Sequence, residues 1–210
     1  MSTKKTVLSK DSRTRLKNRS AIISAAGRVF ADLGYEACTI RDIIRESGLS
    51  PGTFYNNFRD KESLFLHIVG DSMKRVRLQT GIAKEQAKSG REFIYECLKA
   101  FFEVFSDDPL LMKIVARNQI VFRQFAYQTR HLKGMMYDIE SALQWAIEKE
   151  LLPRVPIDLT ALALTGSSFE VLESLTHKSK PDIENSCAFL TELFLGGIRK
   201  VASSYRASEF

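Results

Sequence analysis

The chain has 210 residues, of which 44% are hydrophobic and 27% charged, a composition typical of a globular protein with one or two domains. No apolar run approaches the roughly 18 residues of a membrane span, and no apolar secretory core follows the basic N-terminus. Three widely separated cysteines, Cys38, Cys97 and Cys187, fit buried free thiols in a reducing compartment. The sequence therefore predicts a cytoplasmic protein and argues against a membrane partner.

The net charge of +6 is concentrated in the N-terminal third of the chain. Residues 1–75 contain 14 lysines and arginines against 8 acidic residues, whereas residues 76–210 contain 17 of each. A basic region beside a neutral remainder is typical of a domain that contacts nucleic-acid phosphates. A basic surface without a partner would give the same count, so charge alone leaves both interpretations open.

Residues 1–9 are polar, basic and aperiodic, which predicts a flexible arm that either adds electrostatic affinity for DNA or is an inert tail. An amphipathic helix is predicted over residues 11–33, and Gly34 ends it. The first turns of this helix carry Arg13, Arg15, Lys17 and Arg19. Because the helix dipole favours anions at that end, we interpret these cations as non-specific contacts to phosphates.

Residues 39–58 have the pattern of two short helices joined by a tight turn. The first helix has an apolar stripe of Ile40, Ile43 and Ile44 and a candidate cap, Thr39. Gly48 stands in the turn, and Ser50 caps the second helix with Pro51 at its first position. This is the helix-turn-helix pattern, whose second helix enters the major groove of DNA. A generic helical hairpin is the alternative.

The second helix leaves small or polar, uncharged residues outside its apolar face: Gly52, Thr53, Tyr55, Asn56 and Asn57. Such side chains donate and accept hydrogen bonds at base edges and phosphates. We predict that Thr53 and Asn57 read bases, that Thr39, Gly52 and Tyr55 position phosphates, and that Ser50 and Asn56 belong to the same surface.

The N-terminal seventy residues resemble the DNA-binding domain of the TetR family of bacterial regulators. The most specific part is the frame Gly-x-x-Tyr-x-x-Phe-x-x-Lys-x-x-Leu, which extends from Gly52 to Leu64. The resemblance implies an all-α fold with an N-terminal three-helix helix-turn-helix domain and a C-terminal helical domain for ligand binding and dimerisation. It also implies that Lys61, beside a helix start capped by Asp60, contacts a phosphate.

Falling apolar density beyond residue 75 suggests an arm over 1–9, a DNA-binding domain over 10–75 and an effector-binding and dimerisation domain over 76–210. Helical periodicity in the last of these predicts helices over 93–105, 111–127 and 132–152, then one capped by Asp158 and one opened by Pro181 and Asp182. No strand pattern occurs.

Aromatic and methionine side chains suit an apolar effector cavity, with Arg117 or Arg123 pairing an anionic group of the ligand. The predicted lining is Phe93, Cys97, Phe101, Met112, Ala116, Ile120, Met136 and Phe169. An ordinary hydrophobic core would show the same periodicity, so both interpretations stay open. Some members of the family sense fatty acyl groups, and this apolar face is compatible with such a ligand.

Small residues interrupt the last two helices, at Gly166 in one and at Gly196 and Gly197 in the other. Glycine in a helix is tolerated where backbones approach closely. A homodimer through these two helices, as a four-helix bundle with the partner, is what the resemblance implies. Packing within one chain is the alternative.

Together these features predict a transcriptional regulator, in the simplest case a repressor that a small apolar or amphipathic effector releases from a palindromic double-stranded DNA operator. One alternative is a ligand-independent DNA-bound adaptor whose C-terminal domain docks a protein partner. Another is an enzyme fused to a DNA-binding head. The common nucleotide-binding and hydrolase motifs are missing and the histidines are isolated, so no catalytic residue, cofactor or metal is predicted.

Overall fold

All regular structure in the described part of the chain is α-helical, which confirms the predicted fold class. The structure is a computed structural model that describes residues 10–128 and 130–204, without the side chains of residues 123 and 125–135. The helices are α1 (Lys10–Asp32), α2 (Ile40–Ser47), α3 (Pro51–Tyr55), α4 (Lys61–Gln86), α5 (Gly90–Ser106), α6 (Pro109–Arg117), α7 (Gln119–Gln128), α8 (Arg130–Glu148), α9 (Ile157–Thr176) and α10 (Ile183–Ser204). The predicted arm over residues 1–9 and the predicted ligand contact of Arg123 lie outside this description.

The helix-turn-helix is set by its local capping residues. The Thr39 side chain accepts a hydrogen bond from the backbone N–H of Asp42, whose carboxylate accepts one from Thr39 in return, which completes a capping box. Gly48 ends α2 at φ +66°, where a side chain would be strained. Ser50 caps α3 through the N–H of Thr53. The predicted turn chemistry is therefore confirmed residue by residue.

The N-terminal helices share a core with the first turns of α4. Phe30 from α1, Phe54 from α3 and Phe65 from α4 are almost completely buried. The ring of Phe65 lies 5.2 Å from that of Phe30 and 5.0 Å from that of Tyr35, both in edge-on geometry. Helix α4 is thus part of the small N-terminal unit, and then continues without interruption past the predicted boundary at residue 75.

Two predicted helix boundaries are corrected. The helix predicted over residues 111–127 is broken at Asn118, whose backbone (φ −125°, ψ 29°) is not helical, so that α6 and α7 are separate. Asp158 lies inside the first turn of α9 and is not its cap; Pro156 stands at the cap position without a side-chain hydrogen bond. The sequence missed the break because apolar residues continue at helical spacing on both sides of it.

The break at Asn118 makes a connection between the two halves of the chain. The buried Nδ2 of Asn118 donates to the carbonyl oxygens of Phe30 (2.9 Å) and Ile114 (2.7 Å). Its Oδ1 accepts a hydrogen bond from the backbone N–H of Tyr35. One side chain therefore holds the end of α1, the turn after it and the end of α6 together.

The C-terminal half is a helical bundle around an aromatic cluster. Phe101 of α5 lies 5.6 Å from Phe169 of α9, and Phe122 of α7 lies 5.4 Å from the same ring on another side. Helix α5 packs against α4 on one side and α10 on another, and α8 packs against both α7 and α9. This arrangement places α4 at the wall of the bundle while its first turns remain in the N-terminal unit.

The hydrogen bonds of Asn118 lead to a stability prediction. Asn118→Asp keeps the side-chain shape but replaces the donor Nδ2 with a carboxylate oxygen that faces two carbonyl oxygens. We expect the free energy of unfolding at pH 7 to fall by about 3 kcal/mol. Urea denaturation measures it, with the exposed Asn185→Asp as the matched control. Equal stability of the two variants would contradict the proposed connection.

Candidate nucleic-acid interface and effector cavity

The outward face of α3 is small, polar and uncharged, as predicted from the sequence. Gly52, Tyr55 and Asn56 are exposed, and Asn56 forms the C-terminal cap of the helix. Thr53 is half-buried, and its hydroxyl lies 2.9 Å from that of Ser50. The short helix therefore presents hydroxyl, phenol and amide groups to solvent beside a patch of bare backbone at Gly52.

Asn57, predicted to read bases, is half-buried and is engaged with its own helix. Its Nδ2 donates to the backbone carbonyl of Thr53 at 2.8 Å. The backbone carbonyl of Asn57 accepts a hydrogen bond from Arg19 at 2.9 Å. The buried Oδ1 of Asn57 has no hydrogen-bond partner among the described residues. This side chain therefore holds the end of α3, and its Oδ1 and one N–H of its amide are uncommitted.

Arg19, which was predicted to contact a phosphate, makes contacts inside the protein. Its guanidinium lies 4.2 Å from the centre of the Phe58 ring and donates to the carbonyl of Asn57, so it joins α1 to the end of α3. Arg13, Arg15 and Lys17 are exposed on the first turns of α1. The structure therefore assigns Arg19 an internal role and leaves a basic surface on the rest of the helix start.

Lys61 has an internal role that the sequence did not indicate. Its Nζ donates to the carbonyls of Tyr35 and Cys38, at 2.5 and 3.0 Å, and lies 4.3 Å from the centre of the Tyr35 ring. An ammonium group has three donors, so one remains for an external acceptor. Thr39 is similarly committed, because its hydroxyl takes part in the capping box with Asp42. The predicted phosphate contacts of both residues would have to share these groups.

Burial shifts the pKa of three titratable side chains beneath this surface towards their neutral forms. Burial, helped by the charge of Glu62, raises the pKa of Tyr35 to about 12. Burial raises the pKa of Cys38, although the charge of Lys61 opposes it. Burial and the charge of Arg19 lower the pKa of His67, whose ring packs 5.7 Å from Phe58. His67 is therefore a neutral packing residue.

A largely apolar cavity of about 160 Å³ lies between α4, α5, α8 and α9. Four of the predicted lining residues are in its wall: Phe93, Cys97, Phe101 and Phe169. Burial raises the pKa of the Cys97 thiol to about 12, so this group stays neutral. A cavity of this size would hold a group as large as benzene.

Charged residues that the sequence analysis did not consider lie at the same cavity. Arg77 of α4 donates through Nε to Asp138 of α8 at 2.6 Å, and both residues belong to the cavity wall. The signal in the sequence was the spacing of Met73, Val76, Arg77 and Thr80, which puts all four on one face of α4.

Five predicted lining residues are not in the cavity wall. Met112, Ala116 and Arg117 belong to α6, and Ile120 is 75% exposed on α7. Met136 contacts the wall residue Thr165, whose hydroxyl is 3.6 Å from the Met136 sulfur. The aliphatic part of Arg117 lies against Gly34 of the N-terminal unit. The prediction for α6 and α7 assumed one continuous helix over residues 111–127. The break at Asn118 changes which side chains of this segment face inward.

The last two helices expose an apolar face. Leu159 and Leu162 of α9, and Phe189 and Leu193 of α10, are large side chains that are about half exposed or more. Gly196 and Gly197 are exposed on α10 with open space where a side chain would stand. Exposed large apolar residues on adjacent helices are typical of a protein–protein contact.

Two further features bear on the class of protein. Among the helices that the structure describes, none combines the length and the apolarity needed to span a membrane. Within the same residues, no group of three or more histidine, cysteine or acidic side chains is arranged to hold a metal ion.

Known proteins share both the motif and the fold. Residues 22–68 match the family described as bacterial regulatory proteins, tetR family. The fold is similar to that of the fatty acid degradation regulator FadR from Bacillus halodurans, with 22% identity, a TM-score of 0.74, and coverage of 87% of this chain and 96% of that one. FadR from Bacillus subtilis, solved in complex with stearoyl-CoA, has 20% identity and a TM-score of 0.72, over 85% of this chain and 98% of that one. A tetR-family regulatory protein from Rhodococcus RHA1 has 21% identity and a TM-score of 0.67, over 87% and 97%.

Identities at this level show a shared fold, and the family match covers the helix-turn-helix and the helices that support it. The motif predicted from the frame between Gly52 and Leu64 is therefore confirmed at the level of the family. Residues 22–68 therefore form a DNA-binding domain of the kind found in the tetR family of bacterial regulatory proteins.

Proposed function

We propose that the chain is a cytoplasmic, homodimeric repressor, not an enzyme, that a small apolar or amphipathic effector releases from a palindromic operator. The observation that carries the proposal is the position of the apolar cavity against α4, the helix whose N-terminus supports the DNA-binding motif. Binding in the cavity and binding of DNA therefore act on the same helix. The alternative of a ligand-independent adaptor fits a closed, fully packed second core better than it fits this cavity.

In this proposal α3 reads the major groove, one helix for each half-site. Thr53 and Asn57 contact bases, which for Asn57 requires its buried amide to turn outward, while Ser50 and Asn56 lie at the two ends of the helix. Thr39, Tyr55, the third donor of Lys61 and the bare backbone at Gly52 contact phosphates. Gly52 supports this assignment because a Cβ built there would have no neighbour closer than Ser50 Oγ at 3.9 Å. The fold therefore does not need a glycine at this position, whereas a phosphate pressed against the backbone would.

The dimer forms through the exposed apolar face of α9 and α10. Leu159, Leu162, Phe189 and Leu193 would be buried against their equivalents in the second copy, and the glycines of α10 allow close approach. In the simplest case the two copies of α3 would meet half-sites one helical turn apart, roughly 34–36 Å.

Induction is proposed to be a shift between two orientations of α4. A ligand moves that equilibrium only by the difference between its affinities for the two states. The cavity contacts α4 at Met73, Val76 and Thr80, three to five turns beyond the N-terminus that packs on the helix-turn-helix. The two FadR proteins of similar fold regulate fatty acid degradation or were solved with stearoyl-CoA, which supports a fatty acyl ligand for this cavity.

The proposed function is tested by selecting genomic DNA fragments with the purified protein and measuring binding at two salt concentrations. We expect a few palindromic sites to bind at least a thousandfold more tightly than random DNA at physiological salt. Uniform binding that only falls steeply with salt would contradict an operator-specific regulator. A cofactor that co-purifies with the protein would favour the enzyme alternative.

The open space at Gly52 leads to a second prediction. Gly52→Ala should leave the unfolding free energy unchanged or raise it by up to about 1 kcal/mol, because alanine is the better helix former. Affinity for the selected operator should nevertheless fall at least tenfold, since the new methyl group would displace the phosphate. Titration by fluorescence anisotropy measures the affinity.

Gly70→Ala is the matched control, because Gly70 lies in α4 and also has open space around a built Cβ. It should change stability in the same way without changing DNA affinity. A Gly52→Ala protein that binds the operator normally would remove Gly52 from the proposed interface.

The proposed dimer is tested at the centre of the exposed face. Leu193→Glu would place a charge where two apolar surfaces meet, so we expect a folded monomer by light scattering and weaker binding to a two-half-site operator. Leu78→Glu on α4 is the control, because this side chain is also largely exposed but lies outside α9 and α10. A Leu193→Glu protein that remains dimeric would contradict the proposed interface.

A further inference from the structure

The charged pair at the cavity is different from the other ion pairs of the C-terminal half. Arg77 and Asp138 are the charged residues of the described wall, and the rest of that wall is apolar or carries hydroxyl groups. Two of those hydroxyls are occupied within their own helices: Thr80 donates to the carbonyl of Val76 at 2.9 Å, and Thr165 to that of Ala161 at 2.7 Å. A charged group on a ligand would therefore meet Arg77 and Asp138 first.

Arg77 is the more accessible member of the pair, and only one of its five N–H donors is used. Its side chain is 55% exposed, against 38% for Asp138. Asp138 receives one hydrogen bond, from Nε, and guanidinium has four more N–H donors in a planar fork that matches a carboxylate. Among the described residues, no other acceptor for these donors is recorded. A second carboxylate could bind the same group in bidentate geometry.

The segment of α4 that contains Arg77 is basic. Between residues 73 and 84, α4 carries Lys74, Arg75, Arg77 and Lys84 and no acidic residue. Lys84 lies 4.8 Å from the centre of the Trp145 ring, and that ring packs 5.9 Å from Phe93 in the cavity wall. Two cations, Arg77 and Lys84, therefore lie close to the cavity. Asp138 is paired with Arg77, and Glu96 is a second carboxylate whose charge acts on Cys97 in the wall.

We propose that the effector is an amphipathic anion, whose apolar chain lies among Phe93, Phe101 and Phe169. Its carboxylate replaces that of Asp138 as the ion-pair partner of Arg77. This assignment deepens the proposed function and rests on it for its regulatory meaning. Exposed ion pairs contribute little to stability, so the exchange of one carboxylate for another at Arg77 costs little. The exchange removes the ion pair between α4 and α8, and α4 is the helix that begins at the DNA-binding unit.

The test uses Trp145, the single tryptophan of the chain, as a fluorescent reporter of the cavity. Octanoate, 1-octanol and octylammonium share an eight-carbon chain and differ in head-group charge. Each is titrated into the wild-type protein and into Arg77→Met, Asp138→Asn and Arg91→Met. Arg91→Met is the matched control, because Arg91 forms an exposed ion pair of similar length, 2.7 Å, with Glu192 away from the cavity.

We expect octanoate to bind the wild-type protein at least tenfold more tightly than octanol. Arg77→Met should weaken octanoate at least tenfold without changing octanol, and Asp138→Asn should tighten octanoate severalfold because the competing carboxylate is gone. Arg91→Met should behave as the wild type. Circular dichroism and thermal unfolding establish that every variant is folded before its titration is interpreted.

Three outcomes would overturn the assignment: octanoate binding that is indifferent to Arg77→Met, stronger binding of octylammonium than of octanoate, or no binding of any eight-carbon ligand. Failure of the proposed function is recognised separately, because it is judged from operator selection. Octanol that binds and releases operator DNA independently of Arg77 would reject the anion site and leave the repressor proposal standing. Octanoate binding that depends on Arg77, in a protein without any operator preference, would support the anion site and reject the repressor proposal.

Discussion

Helix α4 is the element on which the rest of the structure depends, because one rigid rod belongs to both halves of the chain. Its 26 residues span about 39 Å at 1.5 Å per residue. Leu64, Phe65 and Val69 are buried in the N-terminal core, and Met73, Val76 and Thr80 lie in the wall of the cavity. In the proposed mechanism, displacement of the cavity end of this helix would be transmitted to the end that supports α3.

The first turn of α4 is also where the motif is assembled. The carboxylate of Asp60 caps the helix through the N–H of Ser63 at 2.7 Å, and Lys61 fastens the turn that contains Tyr35 and Cys38. The same lysine is the proposed phosphate contact. A residue that holds the α1–α2 turn and touches the DNA backbone would make the geometry of the motif and its affinity for DNA depend on one ammonium group.

Local chemistry made much of the fold predictable. Caps such as Thr39, Ser50 and Asp108, the glycine at position 48 and the periodic apolar stripes depend on residues within one or two turns, so the sequence specifies them directly. The internal roles of Arg19 and Lys61 could not be found in that way. Their partners, Phe58 and Tyr35, are 39 and 26 positions away, and a basic residue near a helix start is compatible with solvent, phosphate or an internal carbonyl.

The residues of the cavity could be predicted from the sequence only in part, for the same reason. Phe93, Cys97, Phe101 and Phe169 were found because aromatic periodicity marks the inner faces of α5 and α9, but periodicity does not reveal a break such as the one at Asn118. Arg77 and Asp138 are 61 positions apart, and neither stands out from the exposed charges of its own helix. Only the packing of α4 on α8 brings the two side chains to the cavity.

The two connections between the halves of the chain differ in a way that bears on how an effector would act. Asn118 fixes the end of α6 to α1 through buried hydrogen bonds, and α6 contributes no residue to the cavity wall. Helix α4 meets the cavity directly, packs along α5, and is joined to α8 by an exposed ion pair. Buried, satisfied hydrogen bonds are costly to break, whereas exposed ion pairs are not. In the proposed mechanism the α1–α6 contact is therefore the fixed joint and α4 the moving one. Motion of α4 about that joint would rotate the DNA-binding unit, and this rotation changes the spacing of the two copies of α3 in a dimer.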